Sequence, residues 1–203
     1  MGRPSKENSL TLQAVVTAAI ACIDAEGSAA LGINRVARAL RVKPPALYKH
    51  LSGKAGLERA VALTIWQQYM DWCRERVNHV KTSEDFAVDL NRDRLMMAWR
   101  ATRAFALQYP SRYQVMMRFQ LQPDDQEAFA IIQETQQFVA EALHMQGFSA
   151  VRLIDAMRMI TATINGFIAL ELGKNLTLER STDESFSVIL DALMVAIEQI
   201  RDR

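Results

Sequence analysis

The sequence predicts an all-α chain of about nine helices, with an N-terminal three-helix helix-turn-helix head (residues 1–53) and a helical body (residues 54–203). Three observations carry this. Apolar residues recur with the 3.6-residue period of a helix, and no stretch alternates convincingly with the two-residue period of a strand. All five prolines, Pro4, Pro44, Pro45, Pro110 and Pro123, lie at expected element boundaries. Capping residues and glycines punctuate the apolar runs. Half of the 203 residues are hydrophobic, so a sizeable core is available.

The first helix is expected from Leu12 to Glu26. Thr11 is its N-cap, Leu10 can staple to Val15, and Gly27 stops it. Val16, Ile20 and Ile23 make its buried stripe. Ile33, Val36, Ala37 and Leu40 then fall at i, i+3, i+4 and i+7, one face of a second helix. Arg41-Val42-Lys43 reads as a turn. Pro44 and Pro45 would break a helix interior but suit its first turn, so a third helix should begin at Pro44, with Leu47 and Leu51 inward. Ser52 can cap a long fourth helix from about Gly53 or Lys54 to Val80. Further helices are expected over roughly 83–108, 111–121, 124–146 and 149–172, the last ending at Gly173. Ser181-Thr-Asp-Glu184 reads as a capping box for a final helix.

Residues 32–54 carry the most chemistry. Two short helices with a three- or four-residue turn fit the helix-turn-helix layout. Lys43, Pro44, Pro45 and Ala46 sit at the N-terminus of the second of these helices, the end that reaches base edges, and apolar Pro and Ala suit a thymine methyl. Tyr48, Lys49, His50 and Lys54 suit phosphate oxygens, with Asn34 and Arg35 assisting. Arg3 and Lys6 would form an arm touching backbone or minor groove. Charge distribution agrees. Residues 1–59 hold nine Lys+Arg and four Asp+Glu, or +5, leaving fifteen and nineteen, or −4, for the rest. A basic head on an acidic body implies double-stranded DNA as a partner.

At these residues the chain resembles the TetR/AcrR family of one-component transcriptional regulators. The resemblance runs from Leu10 to about Arg59. It rests on Leu10-Thr-Leu-Gln-Ala-Val-Val-Thr-Ala-Ala, on Val36-Ala37, and on Val42-Lys-Pro-Pro-Ala-Leu-Tyr-Lys-His-Leu, which is similar to the family's recognition motif. Lys54 matches the lysine that opens the family's fourth helix and usually meets a phosphate. Gly32 stands where the family usually has Thr, and Arg41 where it usually has Gly. A second resemblance lies in the body. Ala106-Leu-Gln-Tyr-Pro-Ser-Arg-Tyr113 and Thr163-Ile-Asn-Gly-Phe-Ile-Ala-Leu-Glu171 are similar to the family's effector domain of the Trp-His-Gly type. Asn165 replaces its His, and the Trp is absent.

The last two helices are apolar on most faces and must be covered on most faces. A two-fold homodimer through Ile154, Arg158, Phe167, Ile189, Leu193 and Ile197 would cover them and set two heads on a near-palindromic operator. Met and aromatic residues in the middle helices suit an adaptable cavity for a small apolar or amphipathic effector. The candidates are Trp66, Met96, Trp99, Arg103, Tyr113, Met117, Phe138, Thr161 and Asn165.

Cys22 and Cys73 make no metal pattern and read as small buried hydrophobes. His50, His79 and His144 share no ligand spacing. Neither a phosphate loop nor a nucleophile elbow is seen, so no cofactor, no metal and no enzyme activity are expected. The polar N-terminus and the lack of a run of about 18 uncharged apolar residues argue against a signal peptide and a membrane span, leaving a cytoplasmic protein. The expected function is a homodimeric, ligand-responsive repressor. A regulator without a small-molecule ligand, and a helical enzyme or ligand carrier, are the alternatives.

Overall fold

Thr11 opens the first helix as its sequence implies. Its backbone is extended, and its Oγ1 accepts the Ala14 N–H at 3.1 Å. This helix, α1 (Leu12–Glu26), buries Val15, Val16, Ala19, Ile20, Cys22 and Ile23. Gly27 ends it at φ +91°, donating its N–H to the Ile23 carbonyl. The computed structural model describes residues 10–78, 87–143 and 148–201. Arg3, Pro4, Lys6, His79, Val80 and His144, named above, lie outside them.

After a 3-10 turn at Ser28–Ala30 comes α2 (Ile33–Ala39), which buries Ile33, Val36 and Ala37. Then follow a 3-10 segment at Pro44–Lys49, α3 (Gly53–Asn78), α4 (Ala87–Gln108), α5 (Pro110–Arg118), α6 (Gln126–Leu143), α7 (Ala150–Leu172) and α8 (Thr182–Arg201). Among the described residues there is no strand, and each helix expected from the sequence is present. Ser149 Oγ caps α7 through Arg152 N–H, and Ser181 Oγ caps α8 through Asp183 and Glu184 N–H.

Two local expectations are corrected. The third helix is 3-10, with i→i+3 bonds from Ala46 to Lys43 and from His50 to Leu47. The segment is only six residues long, too short to build a run of i→i+4 bonds, and short pieces of this kind commonly close as 3-10 turns. Pro110 begins α5 as its first residue instead of preceding it, and the helix stops at Arg118 because Phe119 is extended (φ −80°, ψ 121°).

Chain contacts divide the structure into two units. The first runs through Gln68 and resumes over Tyr109–Ile131. The second comprises Tyr69–Gln108 and Ile132–Arg203. The first unit therefore extends well beyond the head of residues 1–53, because polar links tie the head to α5 and the start of α6. Arg112 donates to Asp24 at 2.6 Å and to Gln68 at 3.1 Å, and Ser28 Oγ to Gln114 at 2.9 Å. Arg59 grips Asp125 at 2.6 Å and Glu127 at 2.7 Å. Leu63, Ala128 and Ile131 form a small core with Trp66, Phe119 and Leu121 against it.

Asp125 also caps α6, accepting the Glu127 and Ala128 N–H groups. Its bond to Arg59 and these N–H groups hold its carboxyl down to about 2, against an ordinary value of about 3.9. A depressed folded value gives stability that is present above about pH 4 and is lost as pH falls through about 2. Asp125→Asn is therefore expected to flatten the wild-type rise in urea midpoint between pH 2 and 4. A slope unchanged in the variant would remove Asp125 from the acid response.

In the second unit Phe105 is 1% exposed and meets Tyr69 and Trp72 edge-on, at 5.4 and 5.9 Å between ring centroids. The Tyr69 hydroxyl is 2.9 Å from Thr102 Oγ1, and Trp72 Nε1 donates to the Ala101 carbonyl. Cys22 and Cys73 are free, buried thiols, and burial pushes the Cys73 thiol up to about 11 despite hydrogen bonds with Tyr69 and Thr102. α7 and α8 pack together, burying Ile160, Ile164 and Ile168 on α7 and Leu190, Met194 and Ile197 on α8, with Phe167 and Phe186 ring centroids 5.1 Å apart.

α7 qualifies the expectation about membrane spans. It contains Arg152, Asp155, Arg158 and Glu171, yet an 18-residue window reaches a mean hydropathy of 1.4. By length and composition alone it is long and apolar enough to cross a membrane. Only 28% of that window is buried within the chain.

Candidate nucleic-acid interface

The surface is built on two buried leucines. Leu47 is fully buried and Leu51 is 8% exposed, which fixes the rotation of the 3-10 segment. With Leu47 inward, Pro45, Tyr48 and Lys49 face outward, and Tyr48 is 55% exposed. Lys43 is exposed at the segment's N-terminus. Pro44, Ala46 and His50 are half-buried beside it.

The turn ahead of the segment is held by backbone bonds from Arg41 to Arg38 and from Val42 to Ala37. Arg41 adopts φ +56°, the left-handed region that glycine occupies at no steric cost. The turn thus keeps a glycine-like conformation with an arginine in it, and the guanidinium joins the exposed surface. Gly32 starts α2 with extended backbone and contributes no side-chain cap.

Between Glu26 and Glu58 the chain contains Arg35, Arg38, Arg41, Lys43, Lys49 and Lys54 and no carboxylate. Asn34, Arg38 and Arg41 are exposed alongside the segment. Arg35 is not presented in the same way. Its Nε lies 2.9 Å from both Glu26 carboxylate oxygens, and this bond holds the Glu26 carboxyl below its ordinary value. Arg35 ties α2 to α1. Lys54 is exposed in the first turn of α3, its Nζ 3.4 Å from Glu58. Arg38 and Arg41 were not singled out from sequence, although their place on the non-core side of α2 and its turn was visible there.

The residues expected to form an effector pocket fall in both units. Trp66, Tyr113 and Met117 belong to the first unit, and Met96, Trp99, Arg103, Thr161 and Asn165 to the second. Tyr113 and Trp99 are 4% and 6% exposed, core aromatics within their units. Met117 is exposed, whereas Met96, Trp66 and Asn165 are half-buried. Arg103 is bound to Glu171 and Asp183. The Phe138 side chain lies outside the described residues. Thr161 lines an open groove of about 580 Å³ with Gln136, Ile154, Met157, Arg158 and Ala162.

The residues expected at a dimer face divide as well. Phe167, Leu193 and Ile197 are buried in the core of their own unit, Ile189 is half-buried, and Ile154 and Arg158 are exposed. The exposed apolar side chains of these two helices are Val151, Ile154, Leu170, Val188 and Val195.

Residues 15–61 match the family profile described as bacterial regulatory proteins, tetR family, and residues 95–193 match the tetracyclin repressor-like C-terminal domain. An uncharacterised HTH-type transcriptional regulator of Mycobacterium tuberculosis is 28% identical over 172 residues, 85% of this chain and 73% of that protein. Among solved structures, BioQ of Mycobacterium smegmatis is 25% identical with a TM-score of 0.63, covering 93% of this chain and 98% of its own. A variant of TetR from Acinetobacter baumannii in complex with minocycline is 21% identical, with a TM-score of 0.67 and 96% of each chain covered. ActR of Streptomyces coelicolor in complex with actinorhodin is 14% identical, with a TM-score of 0.65, covering 94% of this chain and 96% of its own.

Proposed function

Given that this chain belongs to the TetR family of DNA-binding bacterial transcriptional regulators, we propose that it is a cytoplasmic homodimeric repressor released from a near-palindromic operator by a small, largely apolar effector. The observation that carries the DNA half of this reading is the cationic surface around Tyr48, built from a stretch with no carboxylate between Glu26 and Glu58 and held in place by the buried Leu47. Lys43, Pro44, Pro45 and Ala46 read bases. Tyr48, Lys49, His50 and Lys54 hold phosphates, and Asn34 assists. Arg35 assists indirectly, by fixing α2 on α1. Arg38 and Arg41 add to the phosphate-facing charge. No catalytic role is assigned to any residue.

The exposed apolar residues of α7 and α8 support the dimer. Val151, Ile154 and Leu170 on α7, with Val188 and Val195 on α8, leave a face that a second copy would cover. Gly166 is exposed on α7, and a Cβ there would meet nothing within 4 Å, so a partner helix has room to approach closely. Val195→Asp combined with Ile154→Asp is expected to yield a folded monomer in analytical ultracentrifugation, with operator binding lost at concentrations where wild type is saturated. A double variant that sedimented as a dimer would place the interface elsewhere.

For the effector, TetR with minocycline and ActR with actinorhodin supply the pattern: structural neighbours that take small molecules. The Met and aromatic content of the middle helices suits the same use here. α3 starts in the first unit and ends in the second, so an effector that prefers one tilt of α3 shifts the separation of the two heads. The shift is limited by its differential affinity for the two states.

A further inference from the structure

We propose that the first unit contains a binding site for a small amphipathic carboxylate, between the Ser28–Ala30 turn, the start of α3 and the end of α5, separate from any effector pocket in the body. A concavity of about 400 Å³ lies there, within the size range of small-molecule sites. Its apolar wall is Leu31, Val115 and Phe119. Two cations border it, Lys54 from α3 and Arg118 from α5, against one carboxylate, Glu58. The balance is one positive charge, and the α3 N-terminus adds to the positive potential. Val115 is 8% exposed and Phe119 half-buried, so the floor is fixed by packing.

The lining selects the ligand. A purely apolar molecule would leave Arg118 without a counter-charge. A bare inorganic anion would leave the Val115–Phe119 wall wet. A carboxylate with a short hydrocarbon tail satisfies both, its head paired in bidentate fashion with Arg118 and drawn toward Lys54. Lys54 already shares its charge with Glu58 at 3.4 Å, so Arg118 is the stronger anchor.

The site bears on regulation because it uses Lys54. This part rests on the proposed role of Lys54 as a phosphate contact. A carboxylate held by Lys54 competes with DNA for that ammonium, and DNA weakens the carboxylate by the same factor.

The test uses the full-length chain and decanoate below its micellar range, followed by calorimetric titration. Wild type is expected to bind one decanoate per protomer, at least tenfold more tightly than decanol. Arg118→Ala should weaken binding at least tenfold, Arg118→Lys should retain only part of it because a point charge cannot replace the two-pronged contact, and Ala29→Leu, which narrows the cavity from its exposed rim, should abolish it. All three variants should melt as wild type does. Equal affinity in wild type and Arg118→Ala, or no decanoate binding by folded wild type, would overturn the site. A second arm measures duplex DNA binding with and without saturating decanoate. Weakened DNA binding in wild type, but not in Arg118→Ala, supports the linkage. Arg118-dependent decanoate binding that leaves DNA affinity unchanged would keep the site and overturn the phosphate role of Lys54.

Discussion

Lys49→Ala is expected to lower operator affinity about a hundredfold at moderate salt. The side chain is exposed at the end of the 3-10 segment, so its removal leaves the fold intact. A hydrogen bond involving a charged group contributes roughly 1.5–3 kcal/mol, and a two-fold dimer loses the contact twice. About 3 kcal/mol in total corresponds to about a hundredfold. The salt series gives a sharper reading than affinity alone. Losing two phosphate contacts should reduce the slope of log affinity against log salt by about 2. Tyr48→Phe is the comparison, because it deletes a neutral hydroxyl from a residue that is already 55% exposed. It should weaken binding by about tenfold or less and leave the salt slope unchanged. A Lys49→Ala protein with the wild-type slope would make this lysine an ordinary solvated surface charge.

Arg103→Ala should be the most damaging of the single charge removals. The guanidinium reaches both Glu171 carboxylate oxygens, at 2.7 and 2.5 Å, and Asp183 at 2.7 Å, so it joins α4 to α7 and α8. Phe186 and Phe167 flank it, at 5.0 and 5.8 Å from the ring centroids. The Arg103 and Glu171 side chains are 11% and 12% exposed. Deleting the arginine strands a nearly buried carboxylate, which costs about 3 kcal/mol. In a chain of this size that is a fall of roughly 10 °C in melting temperature. Arg103→Lys should recover little, since a point charge cannot replace the two-pronged contact. The double variant Arg103→Met, Glu171→Leu should recover most of it, because no unpaired charge remains. If Arg103→Ala melts as wild type does and only effector response changes, Arg103 is a ligand anchor rather than a strut.

These two residues mark what the sequence made legible and what it hid. The head was readable because its determinants are local. Thr11, Gly27 and the pair Pro44-Pro45 act within a few residues of themselves, and the spacing of Leu47 and Leu51 sets which side chains face out. The 3-10 geometry was not legible there, because two prolines suit the first turn of either kind of helix. Charge partners were not readable. Arg103 finds Glu171 and Asp183 at separations of 68 and 80 residues, and Arg112 finds Asp24 at 88. No periodicity reports such pairs, so spacing alone leaves Arg103 among the ligand-anchor candidates and Arg35 among the residues assisting DNA contact.

The body posed a different problem. α7 and α8 are apolar on opposite faces, and hydrophobicity does not say which face the chain buries in itself. The fold spends Phe167, Leu193 and Ile197 internally and leaves Val151, Leu170, Val188 and Val195 outside. Aromatic content is ambiguous in a similar way, since Tyr113 and Trp99 are buried, and richness in rings alone does not separate core from cavity wall.

Footprinting the full-length protein on the DNA upstream of its own coding sequence, over a salt series, tests the central claim most directly. The account predicts two protected half-sites related by a two-fold axis, with centres one helical turn or a multiple apart, and protection that fades steeply as salt rises. A single asymmetric patch, or protection indifferent to salt, would contradict a dimer reading DNA through the Lys43–Lys49 surface.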